Sequence, residues 1–176
     1  MRGYLLLILL MPSMAFSAGA EVPIPLLSMD PNLDDRASLQ RGLGTFMNYC
    51  HACHSLQYQR YVRTADDLGI PHELMMEHVV FDPKASIGDL MDNAMSEDSA
   101  KLWFGAPPPD LTLYTKLKGG PDYLYNYMLN FYEDSSRPFG VNNLLFENVG
   151  MPHVLSDLQC LQKKACKQIP KLADNG

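Results

Sequence analysis

The pentapeptide Cys50-His51-Ala52-Cys53-His54 constrains this chain more than any other feature. Two thiols three positions apart, followed at once by an imidazole, can add to the two vinyl groups of a haem while the imidazole lies under the iron. On this reading Cys50 and Cys53 are covalent anchors, His54 is the proximal iron ligand, and the cofactor is one covalently bound haem c. His51 lies where the polypeptide bends round the haem edge, so it is expected at the surface or at that edge. A structural zinc site would want two further Cys or His ligands at similar spacing, and a thioredoxin-like redox pair would want βαβ surroundings. The sequence offers neither.

The amino terminus reads as an export signal. Arg2 precedes an apolar run from Tyr4 to Met11 and then small residues, Ala15 to Ala20. That order predicts a secretory signal peptide over residues 1–20, cut before Glu21 or, alternatively, before Ala18. The run is shorter than the roughly 20 residues that span a bilayer, which argues against an uncleaved anchor. In an oxidising compartment Cys160 and Cys166, the cysteines outside the haem motif, could form a small disulfide. The net charge of −6 disfavours nucleic-acid binding, and removal of Arg2 makes the remainder more acidic still. A hydrophobic share of 47% with 19% charged residues suits one globular domain, placed at 21–158 and followed by a lysine-rich tail at 159–176.

Within the domain the expected fold is mainly α. After a Pro-rich lead-in, Asp34 or Asp35 can cap a helix whose face of Leu39, Leu43, Phe46 and Cys50 carries the first thiol toward the interior. Short helices are expected at Pro71 to Val80, Ile87 to Ala94, and Glu97 to Phe104, the last capped by Ser96 and stopped by Gly105. Pro121 opens another helix running through Tyr132, with Leu124, Tyr127, Met128 and Phe131 on one face. Arg137 to Met151 has no helical period and reads as an ordered loop. There is no internal repeat and no clear strand pattern. Nine carboxylates from Asp66 to Asp98 stand against the single lysine Lys84, an acidic stretch able to steer a basic partner or simply to form a solvated face.

The sixth iron ligand decides what such a haem does. A second strong ligand closes the iron to substrates and suits it to carry electrons, and methionine sulfur raises its potential. Met47, Met75, Met76, Met91, Met95 and Met128 fall in expected helices and are read as core residues. Met151 sits instead in Gly150-Met151-Pro152, where glycine permits close backbone approach and proline stops a helix from carrying the sulfur away. It is the preferred distal ligand; a loop methionine packed on the core is the alternative, and His153, His72 and His78 are weaker candidates.

Several separated stretches resemble one family. They are Arg41-Gly-Leu-Gly-Thr-Phe-Met-Asn-Tyr-Cys50, Ser55-Leu-Gln-Tyr-Gln-Arg-Tyr61, Pro108-Pro-Asp-Leu111, and Gly140-Val-Asn-Asn143 through Asn148-Val-Gly-Met-Pro-His153. In matching order over roughly residues 34–158, they resemble cytochrome c1 of the respiratory cytochrome bc1 complex, particularly its proteobacterial form.

The resemblance implies a cytochrome c-like fold with His54 and Met151 as the axial pair. It implies that the turn containing Pro109 packs beside the haem and that Tyr123 bonds a haem propionate. Lys118 stands near a position where the family usually has a propionate-binding arginine, and a lysine there offers a point charge without a planar fork. The implied function is a one-electron relay without bond chemistry of its own, from a Rieske iron–sulfur protein to a soluble cytochrome c. The implied setting is beside cytochrome b on the periplasmic face of the bacterial inner membrane. The family continues with another core helix and a membrane anchor, so truncation is expected. The rival expectation is another periplasmic c-type cytochrome, a haem peroxidase or a haem-based sensor, with an open sixth position.

Overall fold

The computed structural model describes residues 24–117 and 119–164. The expected signal peptide, Lys118 and Cys166 lie outside these residues, and with Cys166 the expected disulfide to Cys160.

Helix α1 spans Arg36–Tyr49 because Asp35 caps it, its carboxylate accepting from the Ser38 N–H at 3.0 Å. Met47 is the buried residue of this helix; Leu39, Leu43 and Phe46 are half-buried. At its end the chain folds tightly on itself. Cys50 and His51 N–H both donate to the Phe46 carbonyl, and Cys53 and His54 N–H both donate to the Cys50 carbonyl. These bonds wind Cys50-His51-Ala52-Cys53-His54 into a compact turn from which β1 (Leu56–Arg60) departs.

Strand β1 pairs antiparallel with β2 (Leu90–Met91), and helices α2 (Tyr61–Leu68) and α3 (His72–His78) lie between them in sequence. Together with α1 they enclose a first core of Met47, Tyr61, Ala65, Met75, Val80 and Met91. Fully burying a methionine such as Met75 or Met91 contributes about 1.5–3 kcal/mol. A second core forms where α5 (Gly120–Leu129) meets the antiparallel pair β3 (Phe131–Glu133) and β4 (Val141–Asn143). Phe131, Val141 and Val149 are buried there, with Tyr127, Met128 and Met151 packed against them. Between the two cores run α4 (Glu97–Phe104) and a single 3-10 turn at Tyr114–Lys116, and α6 (Ser156–Gln159) follows the second core. Asn126, buried on α5, ties down the lead-in by accepting from the Leu27 N–H at 2.9 Å and donating to the Leu27 carbonyl at 2.7 Å.

The mainly helical expectation holds, and α4 matches its expected span, with Ser96 as cap and Gly105 left-handed at φ 81°. Several elements differ. Residues expected as a helix from Ile87 to Ala94 instead form turns and β2, because their backbone groups are taken by distant partners. The Tyr61 and Val62 N–H groups donate to the Asp89 and Ile87 carbonyls, and Met91 pairs with Leu56. Met91 is therefore a strand residue, and Met95 lies outside any helix. Helix α5 stops at Leu129 rather than Tyr132, since Phe131–Glu133 pair with β4, and β4 occupies part of the expected loop. Helix α2 was not expected.

Candidate haem site

The turn brings the motif residues together at the edge of the first core. Cys50 and Cys53 are half-buried thiols that are not joined to each other. Burial pushes both up from the ordinary thiol value, and Cys53 adds to the effect on Cys50. Burial thus favours the neutral thiol at each, and with neither in a disulfide both sulfurs are free to form thioethers.

His54 is held by a distant part of the chain. Its Nδ1 lies 2.8 Å from the Pro109 carbonyl oxygen, which can only accept, so Nδ1 carries the proton and Nε2 keeps a free lone pair. Burial pushes the imidazole below its usual pKa, and the Pro109 carbonyl and Asp110 oppose that push without reversing it. A neutral imidazole with its outer nitrogen anchored to a carbonyl is the arrangement in which histidine binds a metal.

Proline conformation and one carboxylate put the Pro109 carbonyl where His54 needs it. Pro107-Pro108-Pro109 is extended because each ring fixes φ and biases the residue before it away from helix. Asp110 then laces this segment to the residues after the haem motif, accepting from Ser55 Oγ at 2.8 Å, Gln57 N–H at 2.7 Å and Thr112 N–H at 3.0 Å. The Leu111 N–H donates to the Ser55 carbonyl at 2.9 Å. The Pro108-Pro-Asp-Leu111 turn was expected beside the haem with Pro109 as its site residue, while Asp110 had no role of its own. The available signal was a short acceptor directly after three prolines, a position suited to capturing local N–H groups.

Met151 and Tyr123 belong to the second core. An aromatic ladder climbs α5 from Tyr123 to Tyr127 at 6.2 Å, to Phe131 at 5.4 Å, and on to His153, stacked on Phe131 at 4.7 Å. Met151, two residues before His153, packs against the same cluster. Burial pushes the Tyr123 and Tyr127 phenols up, and neighbouring phenols push further, so both are hydrogen-bond donors at any physiological pH.

Gly150 approaches the segment that holds His54. A Cβ built there would come within 2.9 Å of the Phe104 carbonyl at the end of α4, a backbone atom with little room to yield. The short segment from Phe104 to Pro109 thus touches Gly150 at one end and His54 at the other.

The other histidines have different surroundings. His72 Nε2 bonds Asp66 at 2.8 Å, and His78 is exposed beside Glu77. His153 is buried, and its Nε2 lies 3.0 Å from the Gln159 amide nitrogen, which also donates to the Met128 carbonyl at 2.6 Å. His51 is a correction. It is buried rather than at the surface, because the turn packs its ring edgewise on Phe46 at 5.9 Å. Among the described residues there is no cluster of three His, Cys, Asp or Glu side chains that could hold a bare metal ion.

Comparison with known proteins agrees with this geometry. The sequence profile of the Cytochrome C1 family matches residues 32–164. Cytochrome c1 of Allochromatium vinosum is 49% identical over 89% of this chain and 62% of its own length. The ammonia monooxygenase gamma subunit of Nitrosomonas europaea is 41% identical over 88% of the chain and 64% of its own length. The mitochondrial cytochrome c1 haem protein of Kluyveromyces lactis is 32% identical over 61% of the chain and 41% of its own length. The chain thus spans less than two thirds of the length of these relatives. The matched region contains the thiol pair, the anchored imidazole and the Gly-Met-Pro loop, and the chain belongs to the cytochrome c1 family, whose cofactor is covalently bound haem c.

Proposed function

We propose that this chain is the electron-relay subunit of a cytochrome bc1 complex, passing single electrons from a Rieske iron–sulfur protein to a soluble cytochrome c. The observation that carries this reading is the 2.8 Å bond from His54 Nδ1 to the Pro109 carbonyl, because it leaves one neutral nitrogen free in a motif with two reduced thiols.

When bound, the haem supplies a one-electron iron couple. Cys50 and Cys53 would fasten it by thioethers, and His54 and Met151 would hold the iron. Tyr123 would donate to a propionate, and Lys118 would add a positive charge for the same group. Pro109 positions His54 and makes no bond to the iron. No side chain is asked to move a proton or break a bond, so the subunit is a carrier and not itself a catalyst.

The acidic stretch supports a basic electron acceptor. Asp82, Asp89 and Asp92 line an open cleft of about 900 Å³ that also touches His51 and Ala52 of the haem motif, with Lys84 the cation on its rim. A field of one sign beside the haem raises the encounter rate of an oppositely charged partner. The cytochrome c1 relatives support a place beside cytochrome b at the periplasmic face of the inner membrane, after export directed by residues 1–20. Among the described residues no helix is long and apolar enough to cross a membrane.

The test is rapid mixing of the reduced, haem-loaded chain with an oxidised basic cytochrome c. The reading predicts transfer of one electron per haem, at a rate that falls as salt rises. Failure to reduce the acceptor, or rapid binding of carbon monoxide by the reduced chain, would favour an enzyme or a sensor with an open sixth position.

A further inference from the structure

The loop that delivers Met151 is held by a guanidinium. Arg137 Nη2 donates to the Asn148 carbonyl at 2.7 Å and the Val149 carbonyl at 3.1 Å, while Nη1 donates to the Asn148 side-chain oxygen at 3.3 Å. Asn148 is left-handed, with φ 61°, a region that asparagine enters more readily than other non-glycine residues and that its bonds here hold in place. Those bonds come from two sides. Arg137 grips the carbonyl and the side chain, and the buried Asn142 accepts from the Asn148 N–H at 2.9 Å. Asn142 is itself oriented by donating to Asp134 at 3.0 Å.

Both residues directly before Gly150-Met151 are therefore bonded to one cation. Nη2 serves the two successive carbonyls while Nη1 reaches the Asn148 side chain, so the rigid plane of the fork fixes three oxygens relative to one another, which the single rotating nitrogen of an ammonium does not do. Its charge is met by carbonyl and amide oxygens, while Asp134 responds to it at longer range.

We propose that Arg137 is the positioning residue for the distal iron ligand. Its fork keeps the Met151 sulfur on the iron, and its charge, fixed on the distal loop, disfavours the more positive oxidised haem and so raises the reduction potential. This inference rests on Met151 being that ligand.

The experiment uses the full haem-loaded chain and reads three quantities: the methionine–iron absorption band, the reduction potential, and the affinity of the oxidised haem for imidazole, which competes for the sixth position. Met151→Ala comes first and should abolish the band. A band retained in that variant overturns the Met151 reading, and the Arg137 assignment with it. Given loss of the band there, Arg137→Gln should bind imidazole at least tenfold more tightly than the native chain and show a lower potential. Arg137→Lys, which keeps the charge but not the fork, should bind imidazole with intermediate affinity at a potential close to native. Native imidazole affinity in Arg137→Gln overturns the positioning role alone, and equal potentials in the Gln and Lys variants overturn the role of the charge. If Arg137→Gln fails to load haem, Arg137→Lys decides the positioning role, supported by tighter imidazole binding and overturned by native affinity.

Discussion

His54 and Pro109, distant in sequence, meet through one hydrogen bond of 2.8 Å, with the imidazole Nδ1–H donating to the proline carbonyl. The proline ring is not a partner in that bond; it contributes only by restricting the backbone. Pro109→Ala should therefore load haem and keep the native absorption spectrum, while losing about 0.4–1 kcal/mol of stability because the unfolded chain gains freedom. Spectra and denaturant unfolding of the haem-loaded variant check both halves, and a changed axial spectrum would show that the ring itself matters.

Asp110 gives the same segment a pH dependence. Burial pushes its carboxyl up, but the hydrogen bonds from Gln57, Thr112 and Ser55 outweigh this and hold it below the ordinary carboxylate value. A carboxylate depressed in the folded state contributes stability that is fully present above its unfolded pKa of about 3.9 and is lost as pH falls through the folded value. Asp110→Asn should thus destabilise the protein at pH 7, on the order of 1 kcal/mol once exposure is allowed for, and the difference should shrink as pH falls below about 4. A penalty independent of pH would mean that the charge is not what the segment uses.

Gly150→Ala tests the close approach beneath the distal loop. The added methyl would meet the Phe104 carbonyl at 2.9 Å, so either the end of α4 or the loop must move. The expected cost is about 1–3 kcal/mol, with partial loss of methionine ligation as the loop shifts. Calorimetry together with the intensity of the methionine–iron band measures it, and native values of both would show that the contact is soft.

The site's covalent half was legible because it is local. Five consecutive residues hold the thiols and the imidazole, and Asp35, Ser96 and Gly105 announced their helix ends with side-chain or glycine chemistry that acts within a turn. The unread parts depend on distant partners. Ile87 to Ala94 carries enough apolar residues to suggest a helix, yet its backbone bonds go to Tyr61, Val62 and Leu56. His51 is buried against Phe46, a contact that spacing within the motif does not encode. Helix α2 left a weak trace in Tyr61, Ala65 and Leu68 at steps of four and three, followed by Gly69 with φ 65°. The grip of Arg137 on Asn148 and Val149 left none, since a loop arginine has no period and its partners are carbonyls.

The acidic cleft predicts a salt-dependent rate. Replacing Asp89, Asp92, Glu97 and Asp98 with their amides should slow reduction of a basic cytochrome c about tenfold at low ionic strength and have little effect at high salt. Asp89 and Asp92, which line the cleft, should account for most of the change, because Glu97 already pairs with Lys101 at 3.3 Å. An unchanged rate in rapid-mixing experiments would remove electrostatic steering from the account.

The central claim is a haem closed on both sides by His54 and Met151. The most direct measurement is the absorption spectrum of the oxidised, haem-loaded chain beside that of Met151→Ala. The account predicts a low-spin native spectrum with a methionine–iron band, and in the variant loss of that band with a sixth position open to added ligands. A high-spin native spectrum, or a variant that keeps the band, would contradict it.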